Sequence, residues 1–274
     1  MTDAPKALVV RALTSDHLIR VAALDASALW DGVRRGHPHL EAEACACLVE
    51  LLAANAVLMA RGMLQERCQL LLKGAGRAKA LVADAWPDGT LRGVLDLGAP
   101  TEGPWLAGPG TFQVMRSTRD GQPYIGTLEL VEGGVAAQVE AYLQTSEQIL
   151  ASLTLWCDPS TGEAGALLVE PLPDCPPERL RRMVEGIENL EVVPLWERTP
   201  DFLITWMNQG PGADILTTTE LVYRCRCTRE ALLGTLQGFS ADQKADLFRE
   251  GEPIEVRCDY CGTVYPIHRA DLGL

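Results

Sequence analysis

Two residue classes are thin in this 274-residue chain: aromatics make up 5% of it, and there are only four histidines. His17, His37 and His39 have no Cys or carboxylate partner pattern around them, so the sequence offers little histidine-centred chemistry. No Ser-His-Asp signature, P-loop or dinucleotide fingerprint is present. Gly74-Ala75-Gly76 reads as a turn, because nothing like Gly-Lys-Ser/Thr follows it. Positive charge is also short. Lys and Arg number 24 against 37 Asp and Glu, a net charge of -13. Phosphate backbones repel such a chain, which argues against nucleic-acid partners and against an anionic membrane surface. Clean hydrophobic runs are missing too. The most apolar stretch, Ala44 to Ala60, is interrupted by Glu50 and Asn55 and falls short of the roughly 20 residues of a membrane span. The start, Met1 to Leu13, has one short apolar run, Ala7 to Val10, and no secretion-signal layout. The expectation is a soluble, cytoplasmic, normally reduced protein, with no internal repeat and no low-complexity tract.

Cysteine, by contrast, is abundant. There are nine, an odd number, so complete pairing as a secreted disulfide scaffold is impossible and the residues are expected to be thiols or metal ligands. Otherwise the composition is ordinary for a globular protein, with 47% hydrophobic and 22% charged residues. The length allows one large domain or two unequal ones.

Pattern along the chain predicts an α+β core of antiparallel sheets with packed helices. His17 to Val33 carries Leu18, Val21, Ala22, Ala28 and Leu29 at helical spacing, and Glu41 to Gly62 reads as a long buried helix. Arg67 to Lys73, Lys79 to Ala85 and Leu91 to Leu97 read as strands. Thr111 to Ser117 and Tyr124 to Val131 read as a hairpin around Asp120-Gly121. Val139 to Leu150 reads as an amphipathic helix with Val139, Tyr142, Leu143, Ile149 and Leu150 inward, and Leu153 to Trp156 and Gly165 to Val169 as further strands. The pattern breaks at Glu170-Pro171-Leu172-Pro173. Pro177 to Leu190 is then helical, with Pro177 suited to a first turn. From Val193 to Leu216 the chain is apolar but punctuated by Pro194, Pro200 and Pro211, too greasy for a free spacer, so it must lean on something else.

The last part of the chain carries the sharpest signal. Cys225-Arg226-Cys227 and Cys258-Asp259-Tyr260-Cys261 form two close pairs, the pattern of a tetrahedral four-cysteine zinc site. Gly262 suits the turn after the second pair, flanked by strands at Ile254 to Arg257 and Thr263 to Ile267. Between the pairs, Thr228 can cap a helix through Leu236, and Ser240 with Gln243 makes a capping box for another that ends before Gly251. A module this small rarely folds on its own core, and structural zinc supplies roughly 10–16 kcal/mol of apparent binding free energy. Three readings stay open on these residues. One is a constitutive zinc-ribbon adaptor. A second is a redox switch, since four sulfur ligands are all oxidisable. The third is a thiol oxidoreductase, the weakest because Cys258 to Cys261 looks like a hairpin knuckle rather than the start of a helix. Four thiolates leave little need for His268 as a ligand. Cys45 and Cys47 sit at i and i+2 of a helix, which do not share a face, and read as buried thiols.

The segments Tyr223 to Glu230 and Ile254 to Gly262 resemble the redox-regulated holdase chaperones of the thirty-three-kilodalton heat-shock protein family. So do Val82-Ala83-Asp84-Ala85 with Asp88-Gly89 and Leu91-Arg92-Gly93, Tyr124-Ile125-Gly126, and Tyr142 to Gln148. The resemblance implies an α+β core over 1–171, a metastable helical linker over 172–222 and a redox-switch domain over 223–274. It implies that Cys225, Cys227, Cys258 and Cys261 hold Zn2+ in an inactive reduced form. On oxidation the neighbours in each pair become disulfide partners, zinc leaves, and the linker unfolds to expose an apolar surface for unfolding client proteins. The active form would be a homodimer without enzymatic turnover. Leu195, Trp196, Phe202, Leu203, Trp206 and Met207 are the candidates for that client surface; the alternative is that they only pack against the core. Cys45, Cys47, Cys68, Cys157 and Cys175 are thiols the family switch does not need.

Overall fold

A computed structural model of the protein describes residues 6–62, 66–99, 102–118 and 121–274. The described chain divides into two compact units, Met1–Arg224 and Cys225–Leu274.

Helix α2 (Ala42–Arg61) organises the first unit. Its sequence is apolar on nearly every side, and such a helix belongs in an interior. It is long and apolar enough to cross a membrane, yet 83% of its most apolar window is buried inside the protein. Fully buried Asn55 ties it to the sheet, its amide donating to the carbonyls of Cys68 (3.1 Å) and Ala83 (3.0 Å). The strands around it are β1 (Ala7–Leu13), β2 (Ile19–Asp25), β3 (Glu66–Lys73), β4 (Ala78–Ala85), β5 (Thr90–Leu97), β6 (Thr111–Thr118), β7 (Tyr124–Glu129), β8 (Ser152–Cys157), β9 (Ala164–Pro171) and β10 (Asp214–Tyr223). They form one sheet in the order β7-β6-β3-β4-β5-β10-β1-β2-β9-β8. Every neighbouring pair is antiparallel except β10 with β5, which are parallel and joined only through Val222↔Thr90 and Tyr223↔Leu91. Helices α1 (Ser27–Gly36), α3 (Val135–Ser146), α4 (Pro177–Glu188) and α5 (Pro200–Asn208) complete the unit. The mixed α+β class matches the expectation from sequence.

Two local expectations need correction. Residues 17 to 33 are not one helix; they are strand β2, then α1. Strand β2 lies between β1 and β9 and is covered on both faces: Ala22 and Leu24 join the α2 side, while Val21 and Ala23 face a second apolar cluster. Burial on both faces erases the period-two signature and leaves an apolar run that also fits a helix. Helix α3 ends at Ser146, and Gln148 takes a positive φ of 57° that turns the chain, so Leu150 points outward at 56% exposure. The hairpin of β6 and β7 forms as expected; Asp120 in its turn lies outside the described residues.

The span 172–222 contains α4, α5 and most of β10. The two helices lie over the sheet face opposite α2. Leu190, Val193, Leu203, Ile204 and Met207 bury against Val10, Ala12, Ile19, Val21, Ala23, Leu167 and Val169. Polar groups hold them down: Arg179 Nε donates to Asp16 (2.8 Å) and its Nη2 to the Met207 carbonyl (2.9 Å), and the Trp206 indole donates to the Gly186 carbonyl (2.8 Å).

The second unit has helices α6 (Arg229–Gln237) and α7 (Ala241–Leu247) and the hairpin of β11 (Ile254–Arg257) and β12 (Val264–Ile267). Thr228 caps α6 by accepting from the Ala231 amide, and Ser240 and Gln243 make the full capping box of α7. Its apolar centre is small: Leu236, Phe248, Ile267 and Leu272.

Candidate metal centre

Cys225 and Cys227 lie just beyond β10 in extended chain, where alternate residues share a face. Both are half-buried while Arg226 between them is exposed, so a Cys-x-Cys spacing that fails on a helix works here. Cys258 and Cys261 sit in the turn joining β11 to β12. The Cys258 amide donates to the Thr263 carbonyl (2.9 Å), and the Gly262 amide donates back to the Cys258 carbonyl (2.8 Å). Gly262 adopts a φ of 69°, the left-handed conformation that closes this turn.

All four Sγ atoms lie within 4.8 Å of one another. Cys225 and Cys258 approach to 3.7 Å, and Cys227 and Cys261 to 3.4 Å. Four sulfurs bonded at ~2.3 Å to one tetrahedral ion would stand roughly 3.8 Å apart, so the cluster fits such an ion with little movement. Its all-sulfur donor set selects soft or borderline metals over Mg2+ or Ca2+.

Two side chains outside the expected ligand set touch the sulfurs. The Tyr265 hydroxyl lies 3.2 Å from Cys227 Sγ and within reach of the Cys227 carbonyl (3.3 Å); the Thr263 hydroxyl lies 3.2 Å from Cys261 Sγ. Their i, i+2 spacing, with Thr263 just before β12 and Tyr265 within it, is the signal that marks them. Burial opposes ionisation of Cys261, but hydrogen bonds from Thr263 outweigh it and bring the thiol down to about 7. Burial and its sulfur neighbours push Cys258 up to about 12, against the Tyr260 amide. Close thiols behave this way because one negative charge resists the next; a bound cation removes that resistance.

His268 is exposed, hydrogen-bonded through its backbone to Asp271, and not part of the sulfur cluster. Arg229 pairs with Asp271 at 2.6 Å, and Arg224 donates to the Thr90 hydroxyl. The remaining thiols are scattered. Cys45, Cys47 and Cys68 are buried, and burial pushes Cys47 and Cys68 up to about 12, which keeps them protonated and inert. Of the residues expected to meet clients, Leu203 and Met207 are fully buried under the sheet face described above. Leu195, Phe202 and Trp206 are half-buried beside them, Phe202 stacking on Trp206, and Trp196 is 67% exposed.

A family model described as Hsp33 protein matches residues 8–268. The chain belongs to the Hsp33 family. A 33 kDa chaperonin of Acaryochloris marina is 30% identical, over 97% of this chain and 95% of that protein. The 33 kDa chaperonin of Deinococcus radiodurans is 27% identical, over 94% of each. The crystal structure of the 33 kDa chaperonin of Thermotoga maritima shares the fold, with a TM-score of 0.83 over 97% of this chain and 96% of that one, at 21% identity. Hsp33 membership makes this a chaperone chain, and its four-cysteine cluster is compatible with redox control.

Proposed function

We propose that this protein is a redox-regulated holdase whose four-cysteine centre binds Zn2+ and keeps the reduced form inactive. The observation that carries this reading is the convergence of the four sulfurs, with no other ligand needed. Bound zinc would hold the sulfurs as thiolates and cross-link a unit whose apolar core is only four large residues. On oxidation, Cys225 with Cys227 and Cys258 with Cys261 each form one disulfide. Each pair gives two electrons to one peroxide, which leaves as two waters. The unit then loses its cross-link. Losing roughly 10–16 kcal/mol rivals the roughly 5–15 kcal/mol that stabilise a typical domain.

Helices α4 and α5 are the element that responds. When they lift, Val10, Ile19, Val21, Leu167 and Val169 lose their cover, and Leu203, Trp206 and Met207 become available as well. Unfolding proteins with exposed apolar segments are the partners such a surface holds, as a homodimer in the cytoplasm and without turnover. Charged substitutions at Trp196 and Trp206 test the surface. Zinc content should be unchanged and protection of an aggregating client after peroxide treatment should fall. Unchanged protection places the client surface elsewhere. Constitutive binding that ignores peroxide would make the protein a zinc-ribbon adaptor instead.

A further inference from the structure

Strand β10 is attached to the sheet in an unusual way. It pairs the whole of β1, from Ala7↔Leu221 to Leu13↔Asp214, with one register shift at Leu216. On its other side only Val222 and Tyr223 meet a partner, in β5. Its side chains contribute little. Asp214, Ile215, Leu216, Thr217, Thr218 and Glu220 are exposed, and Leu221 is the one fully buried residue of the strand. An exposed Lys6–Glu220 ion pair (2.7 Å) and an exposed His17 Nε2–Asp214 contact (2.9 Å) flank it, and contacts of that kind add little stability. The firm anchor is at the end that leads into Cys225. There the Tyr223 hydroxyl lies 2.9 Å from His37 Nε2 and donates to the Gly93 carbonyl (3.3 Å). The Tyr223 side chain packs so closely on Gly32 that a Cβ there would meet its Cβ at 2.5 Å and its ring at 2.8 Å. Most of β10 is therefore held by the main-chain ladder alone.

We propose that the edge of β1 now covered by β10 is a docking site for extended, β-branched segments of unfolding polypeptides. This rests on the redox reading above, and β10 itself shows what the edge accepts: Ile215, three consecutive threonines and Val222 in extended chain. Release of β10 bares the N–H and C=O groups that alternate residues of β1 direct away from β2, a template that main-chain bonds fill with little regard to sequence. The strand behind it stays rigid, because Ala7, Val9, Val10 and Ala12 are buried and β2 pairs its other side. In the reduced state β10 acts as an internal competitor. Edge pairing and the apolar face under α4 and α5 meet on the same strand, since Val10 and Ala12 belong to that face. One unfolded segment could thus be gripped by backbone and side chains together.

The test uses the full chain and a fluorescein-labelled peptide of the β10 sequence, residues 214–223. Anisotropy should show binding to the oxidised protein and none to the reduced protein. Within 217–221, where the ladder to β1 is regular, N-methylation at one set of alternate residues should weaken binding by about ten-fold or more, while the other set leaves it intact. A permanently unfolded, carboxymethylated polypeptide should displace the peptide. Hydrogen exchange should show β10 deprotected on oxidation and β1 protected again by peptide. The proposal is overturned if oxidised protein releases zinc and protects clients yet ignores the peptide, or if both methylation sets act alike. Strand β10 that stays protected after oxidation, in a monomer or a dimer, would leave the edge covered and also overturn it. Absence of both zinc release and client protection in these samples would defeat the redox reading, and this proposal with it.

Discussion

Cys227 shows how little of a metal centre lies in its ligands alone. The Tyr265 hydroxyl at 3.2 Å from its sulfur is placed to donate to it once a bound cation makes it a thiolate. Neighbours of this kind are typically worth 10–100-fold in metal affinity. Tyr265→Phe should weaken zinc binding by about that factor and speed zinc loss to peroxide, measured by competition with a chromophoric chelator; unchanged affinity would show the hydroxyl to be a bystander. The two close cysteine pairs were legible in the sequence because each spans only a few residues. The contacts of Tyr265 with Cys227 and of Thr263 with Cys261 were not, because they depend on a strand folding back to place them. The same holds for client candidates. Sequence showed Leu195 to Met207 as apolar, but which of them are covered, as Leu203 is, and which exposed, as Trp196 is, depends on the sheet beneath.

Helices α4 and α5 dock together on one sheet face, and specific groups set how tightly. Thr199 caps α5 by accepting from the Phe202 amide at 3.3 Å. Thr199→Ala should cost about 1 kcal/mol and lower the denaturant concentration at which α4 and α5 lose hydrogen-exchange protection, leaving β3 and β4 unaffected. Asp16 gives a pH handle. Burial pushes its carboxyl up, but the Thr14 hydroxyl and the Arg179 guanidinium outweigh this and hold it at about 2. A depressed carboxyl stabilises the fold above its ordinary value of about 4 and loses that contribution as pH falls toward 2. Protection of α4 and α5 should therefore decline between about pH 4 and 2, and Asp16→Asn should flatten that decline. At this scale the sequence misread β2, since a strand buried on both faces carries no alternation. It read α2, α4 and the capped helices α6 and α7 well, because caps and prolines are local signals.

Across the whole molecule, the sheet order could not be read from the sequence. The pairing of β10 with β1 joins residues at opposite ends of the first unit, and nothing local announces it. Yet that topology places the last strand of the sheet directly before Cys225. The chain thus runs from a backbone-held strand into a unit with a four-residue apolar centre and four convergent sulfurs. The most direct test follows zinc, structure and client protection in one sample. Reduced, zinc-loaded protein is treated with peroxide while a zinc dye, far-UV circular dichroism and the light scattering of an aggregating client are recorded. One zinc should leave per chain, helical signal should fall, and aggregation should be suppressed in step with zinc release. Suppression that is full before peroxide, or zinc release with no change in suppression, would contradict the account.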